Sequence, residues 1–109
     1  MAYDEQLAGR VRGLLRDERG VVEKAMFGRR MFMLAGRLAV GVSGDELMVR
    51  VGRENKREAV SQPHARPCVM SGRPMEDWVL VGRGGLETDE QLDAWLRRGL
   101  GFARMQVQP

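Results

Sequence analysis

Apolar and polar positions change rhythm along this chain, and each change marks an element. Over Asp4–Asp17 the apolar residues Leu7, Val11, Leu14 and Leu15 return at spacings of four, three and one, which places them on one face of a helix. Asp4 and Glu5 stand in its first turn, where negative charge complements the helix dipole, and Gly20 ends it. Val21–Phe27 reads as a strand or an extended approach to Gly28. Met31–Leu34, Arg37–Val42 and Glu46–Val51 are short β-rich runs separated by Ala35 and Gly36 and by Ser43–Asp45. Runs of this kind with glycine-bearing turns predict an antiparallel meander. Leu38, Val40 and Val42 alternate with Arg37, Ala39 and Gly41, while Leu47, Val49 and Val51 alternate with Glu46, Met48 and Arg50. The two Leu/Val sets are expected to face the core.

Beyond Gly52 the charged run from Arg53 to Gln62 predicts a short helix stopped by Pro63. Pro63–Cys68, with two prolines in six residues, is expected to be an irregular crossing. Trp78–Gly82 is apolar on both faces and predicts a central strand. Gly82, Gly84 and Gly85 form the loop after it. Thr88 then opens the last helix, with Gln91 three residues on completing a capping box. Leu92, Leu96, Leu100 and Ala103, with Trp95 and Gly99, give that helix a wide apolar face. The order predicts an α+β fold: a two-layer α/β sandwich, an antiparallel meander sheet with the N- and C-terminal helices packed on one face.

At 109 residues the chain has the size of one ordinary domain, and no repeat or linker divides it. Hydrophobic residues at 43% and charged residues at 30% belong with globular proteins. No apolar run approaches the roughly 20 residues of a spanning helix. The acidic start lacks the basic and then apolar pattern of a secretory signal, so a cytoplasmic location without membrane contact is expected. A lone Cys68 cannot make an intrachain disulfide. The formal charge is +3, and all but two of the 18 basic residues, Lys24 and Lys56, are arginine. That bias fits a GC-rich coding sequence, and arginine is also the better bidentate partner of phosphate.

Candidate chemistry is sparse. His64 and Cys68 stand four apart, but each is the one residue of its kind, and a zinc site takes three or four protein ligands. Pro67 between them interrupts a helical spacing. Gly82–Gly85 resembles a phosphate-cradling loop but lacks the Lys-Ser/Thr of a P-loop, and Glu87, Asp89 and Glu90 put negative charge at the next helix start. Asp45 and Glu46, like Glu76 and Asp77, are neighbours in sequence, so in strands they point to opposite faces. No catalytic residue, cofactor or metal site is expected.

From Arg29 to Arg83 there are ten basic and six acidic residues, and the pair Arg29 and Arg30 next to Gly28 could join Arg37, Arg50 and Arg53 at one end or on one face of the sheet. Phosphate contacts need such clustering, but aromatic residues amount to 6% and form no stacking platform. Met31, Met33 and Met48, with Ala39 and Gly41, are expected on the sheet face opposite the helices. An exposed methionine strip there would mark an interface, either self-association as a homodimer or contact with a protein partner. The alternative is that the segment around Ala25–Phe27 covers the strip as ordinary core.

Lys24–Gly28, followed by a hydrophobic hairpin with Gly36 at its turn, resembles the opening signature of the TfoX N-terminal domain family. Further landmarks follow in order: Val49–Val51, Asn55 in a charged helix, a proline-bearing loop, Met75–Val81 and a closing helix with Trp95. The likeness spans about residues 5–104 of a single domain taken as 1–109, without the second, C-terminal domain of the better-known relatives. The sequence differs from the family pattern at Arg29 and Arg30. The resemblance implies a two-layer domain and, for those relatives, a regulatory role in DNA uptake competence. The expected function is a non-enzymatic interaction or regulatory domain. Arg29, Arg30, Arg37 and Arg50 would make its polar contacts and Met31, Met33 and Met48 its apolar ones. The alternative is a nucleic-acid-binding accessory protein using the same arginines on phosphates.

Overall fold

In the computed structural model, which describes residues 3–106, the elements run α1 (Glu5–Leu14), β1 (Val21–Met26), β2 (Arg29–Leu34), β3 (Arg37–Ser43), β4 (Glu46–Arg50), α2 (Arg53–Val60), β5 (Ala65–Met70), β6 (Arg73–Val81) and α3 (Asp89–Gln106). The ends of the domain expected at 1–109, residues 1–2 and 107–109, lie outside the described residues. Asp4 is the N-cap of α1, its carboxylate accepting from the Gln6 N–H at 2.8 Å and the Leu7 N–H at 3.3 Å. Before α3 the Thr88 N–H donates to Gln91 Oε1 at 2.9 Å and the Gln91 N–H donates to Thr88 Oγ1 at 3.1 Å. This is the expected capping box.

All six strands form one antiparallel sheet in the order β1-β2-β3-β4-β6-β5. The first four strands are the predicted meander. α2 then carries the chain past β4, so that β6 returns beside it and β5 becomes the far edge. Helices cover one face. Leu7, Ala8, Val11 and Leu15 of the first helix and its end, Ala59 of α2, and Leu92, Leu96 and Leu100 of α3 pack there on Phe32, Val40, Val42, Leu47, Val49, Val79 and Val81. Burial of this apolar surface is the main stabilising contribution. The result is the expected α+β architecture of two layers.

Two local expectations are corrected. Phe32 pairs with Val40 and Met33 with Leu38, so β3 holds one extra residue, Ala39, opposite β2. The bulge turns Leu38 away from Val40 and Val42 onto the other face, and leaves Ala39 fully buried in the helix-side core. Strict alternation had assigned them the reverse way. The cause lies in α3, which packs so closely that a Cβ on Gly99 would stand 2.5 Å from the Ala39 carbonyl oxygen. At that crossing α3 has room only for glycine. The second correction concerns Pro63–Cys68: Ala65–Met70 is the edge strand β5, not an irregular crossing. Pro67 is tolerated because an edge strand has one side without a neighbour, and the register shifts between Pro67 and Val69. Among the described residues no helix is long and apolar enough to cross a membrane.

Candidate functional site

The sheet face away from the helices carries a second, smaller apolar cluster. Paired positions Lys24, Met31, Gly41, Met48, Leu80 and Arg66 form one row across all six strands, cationic at both ends and apolar between. Gly41 serves this row by what it lacks, since a Cβ there would stand 2.7 Å from the Met31 methyl carbon. Met31, Met48, Cys68, Trp78 and Leu80 are all under a tenth exposed and pack together, with Met26, Leu38, Met70 and Met75 against them.

Two hairpin tips build walls on this floor. The β1–β2 turn, Phe27 and Gly28, has φ of 53° and 73°, and the β5–β6 turn, Ser71 and Gly72, has 52° and 75°. Positive φ at both central residues is the I′ geometry that matches strand twist in two-residue hairpins. The β5–β6 tip is held from below: Lys56 Nζ donates to the Met75 carbonyl at 2.8 Å, Arg53 reaches Glu76 at 3.4 Å and Arg50 reaches Asp77 at 3.4 Å. Between the tips runs a cleft of about 390 Å³ lined by Met26, Met31, Met48, Met70, Met75 and Trp78. Five of the eight methionines in the chain therefore meet in one place. Phe27 stands on the rim, 88% exposed.

Arg29 bridges the walls. Its Nε donates to Ser43 Oγ at 3.0 Å, Nη1 to the Phe27 carbonyl at 3.3 Å, and Nη2 to the Met70 thioether sulfur at 3.0 Å. All three acceptors are neutral, and a thioether is a weak one. The other half-buried arginines among the described residues each have a carboxylate: Arg10 has Asp89, Arg30 has Glu23, Arg50 has Asp77 and Arg98 has Glu58. Burial pushes the Cys68 thiol up, while the positive charge of Lys56, Arg29 and Arg66 pulls it the other way. The thiol is neutral packing in a positive surrounding.

The structure disperses the expected arginine cluster. Arg29 lines the cleft, Arg30 turns to the helix side to pair with Glu23 at 2.6 Å and lies over Tyr3, Arg50 joins Asp77 and faces the Phe102 ring, and Arg37 stands exposed at the β2–β3 turn. Of the methionines, Met31 and Met48 lie on the predicted face but are 5% and 4% exposed, so the strip is the floor of a cleft and not an open patch. Met33 is half-buried beside Leu38 and does not line it. Of the Ala25–Phe27 segment, Met26 packs on part of the strip while Phe27 stays exposed at the rim, so the segment does not cover the strip as ordinary core.

Sequence periodicity assigns Met70, Met75, Trp78 and Phe27 no place in the site. The dipeptides Phe27-Gly28 and Ser71-Gly72 were the available signal, each a two-residue hairpin turn that brings flanking methionines to a tip.

The remaining candidates resolve into structure. Cys68 is buried in the second cluster, whereas His64 sits exposed at the start of β5. Among the described residues no three of His, Cys, Asp or Glu come together as metal ligands. In the Gly82–Gly85 connector the glycines make room for a side chain, since a Cβ on Gly84 would stand 2.6 Å from His64 Nδ1. Glu46 pairs with Arg66 and Asp45 with Arg83.

Six antiparallel strands under three helices, with the free face folded into an apolar cleft, define a two-layer α+β domain. More particularly, the chain belongs to the TfoX N-terminal domain family, whose model matches residues 13–103. No curated protein and no solved structure matches the chain.

Proposed function

We propose that this domain is a non-enzymatic interaction module that contacts a protein partner through its methionine-lined face. One observation carries the reading: an apolar cleft of about 390 Å³ on the sheet face that the helices leave free, with an aromatic ring held in solvent at its rim. Methionine side chains are flexible and polarizable, so a surface made of them repacks around a docked side chain. Phe27 adds to this because its ring, 88% exposed at the rim, gains no packing in the free protein. The carboxylate pairing of Arg30 and Arg50 favours protein contacts over a phosphate-binding arginine cluster.

The test is affinity purification of the intact chain from its own cells after nuclease treatment, beside Phe27→Asp. Because Phe27 is a surface residue, the variant is expected to keep its fold and lose a nuclease-resistant protein partner. Recovery of the same proteins with both chains, or of nucleic acid alone, overturns the reading.

A further inference from the structure

We infer that the cleft takes a partner segment in which an apolar side chain stands next to a carboxylate, the carboxylate being bound by Arg29. This rests on the interaction reading above and names the chemistry of the partner. Charge complementarity carries it. Arg29 is the half-buried arginine that no carboxylate neutralises among the described residues, and its guanidinium lies in the wall of the apolar cleft. A cation in so apolar a setting makes a charge-assisted hydrogen bond worth more than it is in water. Arg29 reaches three neutral acceptors from five N–H groups, so donors remain for an incoming oxygen. Its bond to the Met70 sulfur is the one an anion most readily replaces.

The surroundings reinforce the sign. Lys24 ends the same cross-sheet row and is exposed, and Lys56 lies close enough to act on Cys68 with Arg29. The acids on this side are already engaged: Glu46 by Arg66, Glu76 by Arg53 and Asp77 by Arg50. A second copy docked face to face would bring the same cations to the cleft, where the acids of this face are already paired. A small ligand would be mostly enclosed by its pocket, whereas here apolar surface continues past the rim at Phe27, 88% exposed, and along β1 at Val22, 56% exposed. An extended chain uses both the cleft and its margin.

The experiment is methyl NMR of the full chain carrying [methyl-13C]methionine, titrated with an acetylated, amidated Ser-Leu-Glu-Leu-Ser peptide and with its Gln and Lys counterparts at the central position. The Glu peptide is expected to shift the methyls of Met26, Met31, Met48, Met70 and Met75 and to leave Met33 and Met105 in place. It should bind at least tenfold more tightly than the Gln peptide, and the Lys peptide should bind more weakly still. Arg29→Gln should abolish the preference for Glu over Gln while the free variant keeps its melting temperature within a few degrees. The three peptides test charge on the native chain, so the result stands even where the variant is unstable.

Equal shifts by all three peptides would overturn the carboxylate inference and leave the interaction reading intact. Loss of the partner-binding effect of Phe27→Asp would remove the interaction reading itself. Methyl shifts with decanoate and none with any peptide would replace the partner segment by a free amphipathic acid. Shifts that grow with protein concentration alone would replace it by a second copy.

Discussion

Glu23 shows how much one side chain can organise. It accepts from Arg12 at 2.7 Å and from Arg30 at 2.6 Å, joining the end of α1 to β1 and β2 on the helix side. The Arg12 hydrogen bond, with Arg30 behind it and burial opposing, brings its carboxyl from 4.5 to about 2. A carboxylate with a depressed folded pKa contributes stability that is complete above its unfolded value and fades as pH falls toward the folded one. The Arg12 side chain is half exposed, so solvent screening reduces the contribution to about 1–2 kcal/mol. Glu23→Gln should therefore melt lower than the native protein at pH 7, and the gap should close between about pH 4.5 and pH 2. Melting followed by circular dichroism across that range checks it; a gap that persists at pH 2 would show that Glu23 acts through packing.

At the scale of elements, α3 carries two glycines with opposite expectations. A Cβ on Gly99 would meet the Ala39 carbonyl oxygen at 2.5 Å and Val40 Cγ1 at 2.6 Å, and the backbone oxygen has nowhere to go. Gly101 has nothing within 4 Å. Gly101→Ala should raise stability by about 0.5–1 kcal/mol through helix propensity, and Gly99→Ala should lower it by about 2 kcal/mol through overpacking. Urea unfolding of the two variants reads the difference directly; equal effects would mean that α3 can slide on β3. The helices, the β1–β4 meander and the Thr88 cap were legible in the sequence because each rests on local periodicity or on a fixed offset between two residues. The bulge at Ala39 was not. It comes from the close approach of α3, some sixty residues away, and no local pattern encodes it. Strand β5 was hidden by Pro67, whose tolerance depends on β5 being an edge. Half of the cleft was legible for the same reason: Met31 and Met48 alternate visibly with core positions, whereas Met70, Met75 and Arg29 reach it only when the two hairpin tips meet.

For the whole molecule, the two apolar clusters share their strands. β4 sends Leu47 and Val49 to one and Met48 to the other, and β6 sends Val79 and Val81 to one and Trp78 and Leu80 to the other. They should therefore unfold as a single cooperative unit. Cys68, fully buried and with its thiol pushed up by burial, reports on the smaller cluster; Trp95, in the larger one, reports on the other. In a Trp78→Phe chain, the denaturant midpoint for Cys68 alkylation should coincide with that for Trp95 fluorescence. Alkylation that sets in at clearly lower denaturant would mean that the cleft opens on its own. The additional residue in β3 has a further consequence for how such a domain can change. Point substitutions alter the cleft one side chain at a time, but loss of the single codon for Ala39 would close the bulge with Phe32–Val40 and Met33–Leu38 still paired, and so leave Leu38 on the cleft side. The length of β3 can thus change by this one residue without exchanging its two apolar faces, and what the residue fills is the space beneath α3.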